Sequence, residues 1–198
     1  MKSSDFDLLY SFLHLIGIFL FKILFYMEVE GKENIPKRGP FVLASNHLSF
    51  LDPPVLGVAS SRKLYFLARR TLFKNRLFSL IIRRLGAIPI EREGLPVTLR
   101  KALNILKEGK GIVIFPEGRR SKDGKLKEGK PGVGFLAVKG RCPVVPVLIS
   151  GTEKALPVGA KFIKPAKIKV KIGKPLFFNS GDYFACAEKV IESIRKLR

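Results

Sequence analysis

Cysteine is scarce in this sequence of 198 residues, which contains only Cys142 and Cys186. The two residues lie far apart and form no CxxC or CxxxC pair, so neither a zinc site nor a thioredoxin-like redox motif is indicated. Two isolated thiols are typical of a protein in a reducing compartment, and we expect both to be small, buried apolar side chains.

Acidic residues are also few, because 16 aspartates and glutamates stand against 37 lysines and arginines and leave a net charge of +21. A charge of this size predicts an anionic partner: nucleic acid, an anionic membrane surface or a phosphorylated substrate. However, 46% of the residues are hydrophobic and 16 are phenylalanine, which is unusual for so cationic a chain. The combination favours a protein held at a lipid interface over a soluble protein that binds nucleic acid.

An almost unbroken apolar run covers residues 8–27, and His14 and Lys22 are among its few interruptions. As a helix it would be about 30 Å long, close to the thickness of a bilayer core. The two polar residues favour a helix that lies in the interface over one that spans the membrane. Asp5 and Asp7 disfavour a cleaved signal peptide, so we expect the segment to stay on the protein.

The length of the chain suits one domain behind this apolar segment. We expect residues 1–30 to form an N-terminal apolar membrane-associating helix and residues 31–198 to form a single domain that needs no disulfide or structural metal. Within that domain, residues 61–84 carry eight lysines and arginines and no acid, interleaved with apolar side chains. This pattern predicts an amphipathic helix whose basic face either contacts an anionic leaflet or is simply solvated.

Short apolar runs alternate with helical patterns in the rest of the chain. The predicted strands cover residues 41–45, 64–68, 87–90, 111–115 and 143–149, and the predicted helices cover residues 53–60, 72–85, 97–108, 132–139 and 183–198. This alternation predicts an α/β fold with a mixed, mostly parallel sheet flanked by helices. Residues 167–172 alternate lysine with isoleucine or valine, which predicts a further strand. Its cationic side is either a charged sheet edge that resists aggregation or a basic surface facing lipid.

Histidine is the rarest potential base in the sequence. His14 lies inside the apolar run, so His47 is the only plausible imidazole base. Asp52 follows it by five residues and precedes two prolines that suit the first turn of a helix. A turn between strand and helix would let the two side chains meet, in the arrangement that deprotonates a hydroxyl. The alternatives are a structural histidine and an aspartate that only caps the helix.

Residues 115–121 read Phe-Pro-Glu-Gly-Arg-Arg-Ser and follow another predicted strand as a glycine turn. Loops beyond the carboxyl ends of strands are where open α/β sheets bind ligands. Arg119 and Arg120 in this turn could bind a phosphate through paired hydrogen bonds. The alternative is a solvated charged loop, because several lysines follow directly.

Four segments together resemble the blocks of the glycerolipid acyltransferases. They are residues 46–52 with the HxxxxD pattern (Asn-His-Leu-Ser-Phe-Leu-Asp), 86–92, 115–121 and 145–149. Their order and spacing over roughly residues 40–150 are similar to those of the small bacterial 1-acyl-sn-glycerol-3-phosphate acyltransferases. The resemblance implies that His47 is the general base and Asp52 its orienting carboxylate.

The same resemblance implies a glycerol-phosphate site formed by Arg92, Glu117, Gly118 and Arg120. Arg119 stands where the family usually has threonine and would add a cation to that site. The family implies 1-acyl-glycerol 3-phosphate as the acceptor. Because of the extra cation at Arg119, the alternative is another lysophospholipid or an amino-acid lyso-lipid.

The family further implies an acyl-CoA or acyl-carrier-protein donor, phosphatidic acid as the product in phospholipid synthesis, and no metal or other cofactor. We accordingly expect an enzyme at the cytoplasmic face of the cell membrane, in contact with anionic lipids and not with nucleic acid. Two alternatives come from other classes. One is a non-catalytic protein that binds anionic lipid or nucleic acid, and the other is a hydrolase with Ser45 or Ser49 as nucleophile.

Overall fold

Apolar runs form the strands of the computed structural model, which describes residues 8–90, 94–121, 124–179 and 181–198. The strands are β1 (Glu28–Glu30), β2 (Phe41–Ser45), β3 (Leu64–Arg69), β4 (Ala87–Ile90), β5 (Gly111–Ile114), β6 (Val144–Ser150) and β7 (Lys169–Ile172). The helices are α1 (Leu8–Phe25), α2 (Asp52–Ala59), α3 (Arg76–Arg84), α4 (Leu95–Lys107), α5 (Gly132–Gly140), α6 (Thr152–Ala155) and α7 (Tyr183–Arg195).

The seven strands of the described residues form one sheet in the order β1-β7-β6-β2-β5-β3-β4. Strand β2 pairs in parallel with β5 and β6, and β3 pairs in parallel with β4 and β5. Strand β7 runs antiparallel to β6, and β1 runs parallel to β7. The predicted α/β fold with a mixed, mostly parallel sheet is therefore confirmed.

Both faces of the sheet are covered, because successive side chains of a strand point to opposite faces. In β2, Phe41 and Leu43 pack into one cluster with α2 and the end of α1. Val42 and Ala44 pack into the other cluster with α4, α5 and α7. These four side chains are buried, as expected for a central strand of a parallel sheet between two helical layers.

Strand β7 is not at the edge of the sheet, so the charged-edge interpretation of residues 167–172 is wrong. Strand β1 covers it, with Glu28 in register with Lys169. The Glu28 carboxylate also forms ion pairs with Lys167 and Lys169. Residues 28–30 were predicted as the end of the N-terminal helix, and they form β1 instead. The strand was missed because three residues are too few to show the alternation of apolar and polar side chains.

The predicted helix over residues 72–85 is divided in two. A short 3-10 helix covers Arg70–Phe73, and α3 begins only at Arg76. Asn75 causes the second start, because its side chain accepts a hydrogen bond from the Phe78 N–H at 3.0 Å and caps the helix. No residue of α3 is buried.

Helix α1 packs one side against α2 and exposes apolar side chains on the other. His14 Nε2 donates a hydrogen bond to the carbonyl oxygen of Gly57 at 3.1 Å, and a Cβ at Gly17 would come within 3.0 Å of Val58. The outward side chains include Phe12, Leu15, Phe19 and Ile23, each 53–67% exposed. Within the described residues, no helix combines the length and apolar character needed to cross a membrane.

Candidate active site

Three loops meet at one edge of the sheet because β6, β2 and β5 are parallel neighbours, and their carboxyl ends lie side by side. The loop after β2 is tied to the carboxyl end of β6 and to the loop after β5. Asn46 Nδ2 donates to the Ile149 carbonyl oxygen at 2.9 Å, and the Ile149 N–H donates to Asn46 Oδ1 at 2.8 Å. On the other side, the Ser121 N–H donates to the His47 carbonyl oxygen at 2.7 Å.

The turn between β2 and α2 brings the predicted base and carboxylate together. His47 Nδ1 lies 2.7 Å from Asp52 Oδ2, and the same oxygen accepts the backbone N–H groups of Leu48 at 2.6 Å and Ser49 at 2.8 Å. Asp52 is the first residue of α2 and not its N-cap, which is Leu51. Its carboxylate binds the preceding loop and the imidazole, so the alternative of an aspartate that only caps the helix is wrong.

The tautomer of His47 follows from this geometry. Because Asp52 Oδ2 acts as an acceptor, Nδ1 carries the proton and donates it. In the neutral ring, Nε2 then has the lone pair that can accept a proton from a hydroxyl. The ring stacks on Phe115 with centroids 3.9 Å apart and planes 15° apart, and 18% of the side chain stays accessible. The geometry suits a general base within reach of a ligand.

The second oxygen of Asp52 has a partner that sequence reasoning missed. Thr152 Oγ1 donates to Asp52 Oδ1 at 2.6 Å, and both residues are completely buried. The two are 100 positions apart, so no local pattern connects them. The sequence did offer one indication of a role for Thr152, since it follows the strand that contains the fourth predicted block.

Glu117 is a buried carboxylate that holds backbone groups. Oε1 accepts the His47 N–H at 3.2 Å and Oε2 accepts the Lys127 N–H at 3.1 Å, and only 4% of the residue is exposed. Burial raises the pKa of the Glu117 carboxyl above its ordinary value, and these two backbone hydrogen bonds partly oppose the shift. The next residue, Gly118, has φ +70°, which favours glycine. A Cβ at Gly118 would also lie only 3.0 Å from the side chain of Lys130.

Arg120 has a guanidinium group that is stacked but incompletely bonded. Its Cζ lies 3.6 Å from the centroid of the Phe50 ring. Its Nη1 is buried and has no hydrogen-bond partner among the described residues. A buried N–H of this kind costs free energy until an acceptor binds it, so the group is suited to an anion. Arg119 is exposed on the same turn, and Arg92 lies outside the described residues.

The two serines considered as nucleophiles are both completely buried. Ser45 Oγ donates to Asn46 Oδ1 at 3.4 Å, and Ser49 Oγ donates to the Leu156 carbonyl oxygen at 2.8 Å. A nucleophilic serine needs a hydroxyl that reaches the substrate and a base beside it, so these contacts argue against the hydrolase. No group of three or more metal-binding side chains occurs in the described ranges.

Two cavities combine apolar and cationic side chains. One of about 390 Å³ adjoins the loop after β2, and its lining includes Leu48, Leu126, Leu148, Lys125, Lys169 and Lys171. Another of about 620 Å³ lies where β4 ends, and its lining includes Phe73, Pro89, Arg70, Lys74, Arg83 and Lys101. Such linings suit ligands that have both apolar and anionic parts.

Comparison with known proteins agrees with this geometry. The family model named Acyltransferase matches residues 26–150. A 1-acyl-sn-glycerol-3-phosphate acyltransferase of Bacillus subtilis (strain 168) is 33% identical over 153 residues, which cover 76% of this chain and 73% of that protein. A chloroplastic 1-acyl-sn-glycerol-3-phosphate acyltransferase of Brassica napus is 32% identical over 176 residues, which cover 84% of this chain.

The chain spans about half the length of its chloroplastic relatives, with 50% of the Brassica napus protein covered and 49% of one from Arabidopsis thaliana. Among solved structures, the crystal structure of the 1-acyl-sn-glycerophosphate (LPA) acyltransferase PlsC from Thermotoga maritima has a TM-score of 0.79 at 33% identity. That match covers 94% of this chain and 77% of the other.

Proposed function

Since this chain belongs to the acyltransferase family, we propose that it transfers a fatty acyl group from a thioester to the free hydroxyl of 1-acyl-glycerol 3-phosphate, giving phosphatidic acid in phospholipid synthesis. The proposed donor is acyl-CoA or an acyl-carrier protein. The observation that carries the proposal is the 2.7 Å contact between His47 Nδ1 and Asp52 Oδ2 beside a turn that holds an unsatisfied arginine.

The proposed mechanism uses the dyad as a general base. His47 Nε2 removes the proton of the acceptor hydroxyl while the hydroxyl oxygen attacks the thioester carbonyl carbon. Asp52 keeps the ring oriented and stabilises the imidazolium that forms. When the tetrahedral intermediate collapses, the carbon–sulfur bond breaks and the imidazolium returns its proton to the thiolate. The steps consume one hydroxyl and one thioester and produce one ester and one thiol, without an acyl-enzyme.

Arg120 is proposed to bind the phosphate of the acceptor, together with Arg92 and Arg119. Support comes from the buried Nη1 of Arg120, whose unused hydrogen a phosphate oxygen would accept. Glu117 and Gly118 are proposed to shape this part of the site. The extra cation at Arg119 keeps a second acceptor open, namely another lysophospholipid or an amino-acid lyso-lipid.

Membrane contact is proposed at the cytoplasmic face, where two buried cysteines outside any disulfide suit a reducing compartment. Residues 1–30 would associate with the membrane and residues 31–198 would form the catalytic domain. Helix α1 supports this with its outward row of exposed apolar side chains. Helix α3 supports it as well, because apolar side chains such as Leu77 and Leu80 are 70% and 52% exposed beside several arginines.

The reaction is tested by incubating purified protein in detergent with acyl-CoA and a panel of lyso-lipid acceptors, and by following thiol release and product mass. The chain's own thiols will contribute little background, because burial raises the pKa of Cys142 to about 11 and also raises that of Cys186. We expect release of one thiol per ester formed with 1-acyl-glycerol 3-phosphate. Thiol release with a different lyso-lipid alone would reassign the acceptor.

The proposed base is tested with His47→Ala. We expect the rate to fall by about 10² to 10⁴, the usual contribution of a general base, while the fold and vesicle binding are retained. Asn104→Ala is the control, because it removes a polar side chain from an exposed position of α4. Turnover of the purified His47→Ala protein at the wild-type rate would contradict the assignment.

The phosphate contact is tested with Arg120→Ala. Loss of a charged hydrogen bond should raise the KM for 1-acyl-glycerol 3-phosphate by roughly 10- to 100-fold and leave the KM for acyl-CoA unchanged. The effect should shrink with 1-acyl-glycerol, which has no phosphate. Arg38→Ala, at the amino-terminal end of β2, is a matched control at the opposite edge of the sheet. Equal effects on both acceptors would remove Arg120 from the phosphate site.

A further inference from the structure

The carboxylate of Asp52 is completely buried, and its two oxygens are bonded differently. Oδ2 accepts the His47 imidazole and two backbone N–H groups. Oδ1 accepts the hydroxyl of Thr152 at 2.6 Å. A buried carboxylate requires donors on both oxygens, so the Thr152 hydroxyl completes its hydrogen bonding.

The position of Thr152 is fixed by the backbone around it. Gly151 has φ +93°, and a Cβ there would lie 2.0 Å from the carbonyl oxygen of Lys167, so the turn from β6 into α6 requires glycine. Near the end of β6, Ile149 exchanges two hydrogen bonds with the Asn46 side chain. Thr152 is therefore held at a defined distance from the loop that carries His47.

We propose that Thr152 is a positioning residue that acts on His47 through Asp52. The torsion about the Cβ–Cγ bond of aspartate has a broad energy minimum, so the carboxylate needs contacts to hold its plane. The hydroxyl on Oδ1 fixes that plane and keeps Oδ2 aimed at His47 Nδ1. Thr152 is completely buried and so does not touch the substrate. The inference rests on the proposed function, because it assigns a role within the same dyad.

Thr152→Val is the informative substitution, because valine has nearly the same shape and lacks the hydroxyl. We expect kcat to fall on the order of tenfold, since a misaligned base slows the chemical step, while the KM values for donor and acceptor stay unchanged. Thr152→Ser restores the donor and should recover most of the activity. Thr98→Val on α4 is the matched control and should behave as the wild type. A Thr152→Val protein with unchanged kcat, or a Thr152→Ser protein as slow as Thr152→Val, would overturn the proposal.

A second variant pair separates positioning from a general loss of structure. In a His47→Ala background the base is gone, so adding Thr152→Val should cause no further loss of rate. A further tenfold loss in the double variant would mean that Thr152 acts elsewhere, and would also overturn the proposal.

A measurement without substrate makes the inference independent of the reaction. The Nδ1–H proton of His47 should give a downfield NMR resonance, which is assigned by its absence in His47→Ala because the chain has only two histidines. We expect Thr152→Val to shift or broaden this resonance and Thr152→Ser to retain it. An unchanged resonance in Thr152→Val would contradict the positioning role. A wild type that releases no thiol with any acceptor would instead contradict the proposed function.

Discussion

At the scale of single residues, Glu117 joins two loops through its carboxylate, and its burial makes this contact dependent on pH. A carboxyl whose pKa is raised in the folded protein binds its proton more tightly there than in the unfolded chain. Its contribution to the free energy of unfolding is fully present below the unfolded pKa of about 4.3, and it is lost as the pH rises through the folded pKa. Lowering the pH should therefore favour folding through this group.

The prediction compares the wild type with Glu117→Gln. The difference in their free energies of unfolding should move in favour of the wild type as the pH is lowered from about 7 to about 4. Urea unfolding at a series of pH values measures it. Glu192→Gln is the control with the opposite sign, because the hydrogen bond from Lys196 lowers the pKa of Glu192. A pH-independent difference for Glu117→Gln would contradict the burial argument.

The sequence predicted the pair His47 and Asp52 because a turn after a strand can fold five residues back on themselves. It left open whether Asp52 binds backbone groups or the imidazole, and the structure has both contacts on one oxygen. The contacts of Thr152 with Asp52 and of Asn46 with Ile149 were not predicted, because each joins residues 100 or more positions apart. Such contacts depend on which strands become neighbours, and periodicity within a segment contains no information about that order.

At the scale of elements, α1 is an inverted amphipathic helix. The polar or small residues that interrupt the apolar run, His14 and Gly17, face α2, while the outward positions are apolar. The interruptions therefore mark the side of α1 that packs on the protein. The sequence predicted a helix in the apolar run, but α1 ends at Phe25 and residues 28–30 form β1. It could not reveal which side of the helix faces inward, because that side is the more polar one.

Helix α3 gives a prediction about membrane contact that does not depend on catalysis. Leu77 is 70% exposed, so Leu77→Glu should leave the fold intact. If the side chain enters the lipid interface, losing its burial and adding a negative charge should weaken binding to anionic vesicles about tenfold or more. Cosedimentation with vesicles that contain phosphatidylglycerol measures this. Phe184→Glu on α7, where the original side chain is 66% exposed, is the matched control, and equal losses in both variants would argue against a specific role of α3.

At the scale of the whole molecule, the net charge of +21 should make vesicle binding depend on salt. Raising the ionic strength from about 0.1 M to about 1 M shortens the Debye length from about 10 Å to about 3 Å. Binding to anionic vesicles should fall steeply over this range, and the weaker binding to phosphatidylcholine vesicles should change little. Salt-insensitive binding to both would mean that charge has no part in the contact.

A gel-shift experiment and the thiol-release assay together separate the enzyme from its non-catalytic alternative. A gel shift of duplex DNA at about 0.15 M salt, without any thiol release from acyl-CoA, would support a nucleic-acid-binding protein. The net charge alone could not make that distinction from the sequence.

The alternation of strands and helices was more informative, because buried parallel strands are nearly continuous apolar runs. Five of these strands were predicted to within two residues at each end.

Under the proposed function, the packing of α1 on α2 would also determine how the acceptor reaches His47 and Asp52. Asp52 is the first residue of α2, and the same short helix binds α1 through Gly57 and Val58. Under the proposed membrane association, a leaflet that holds α1 would also set the height of the His47 imidazole above the acyl chains, because α1 packs directly on α2. Lateral diffusion within that leaflet would then deliver the lyso-lipid, which need never dissolve in water.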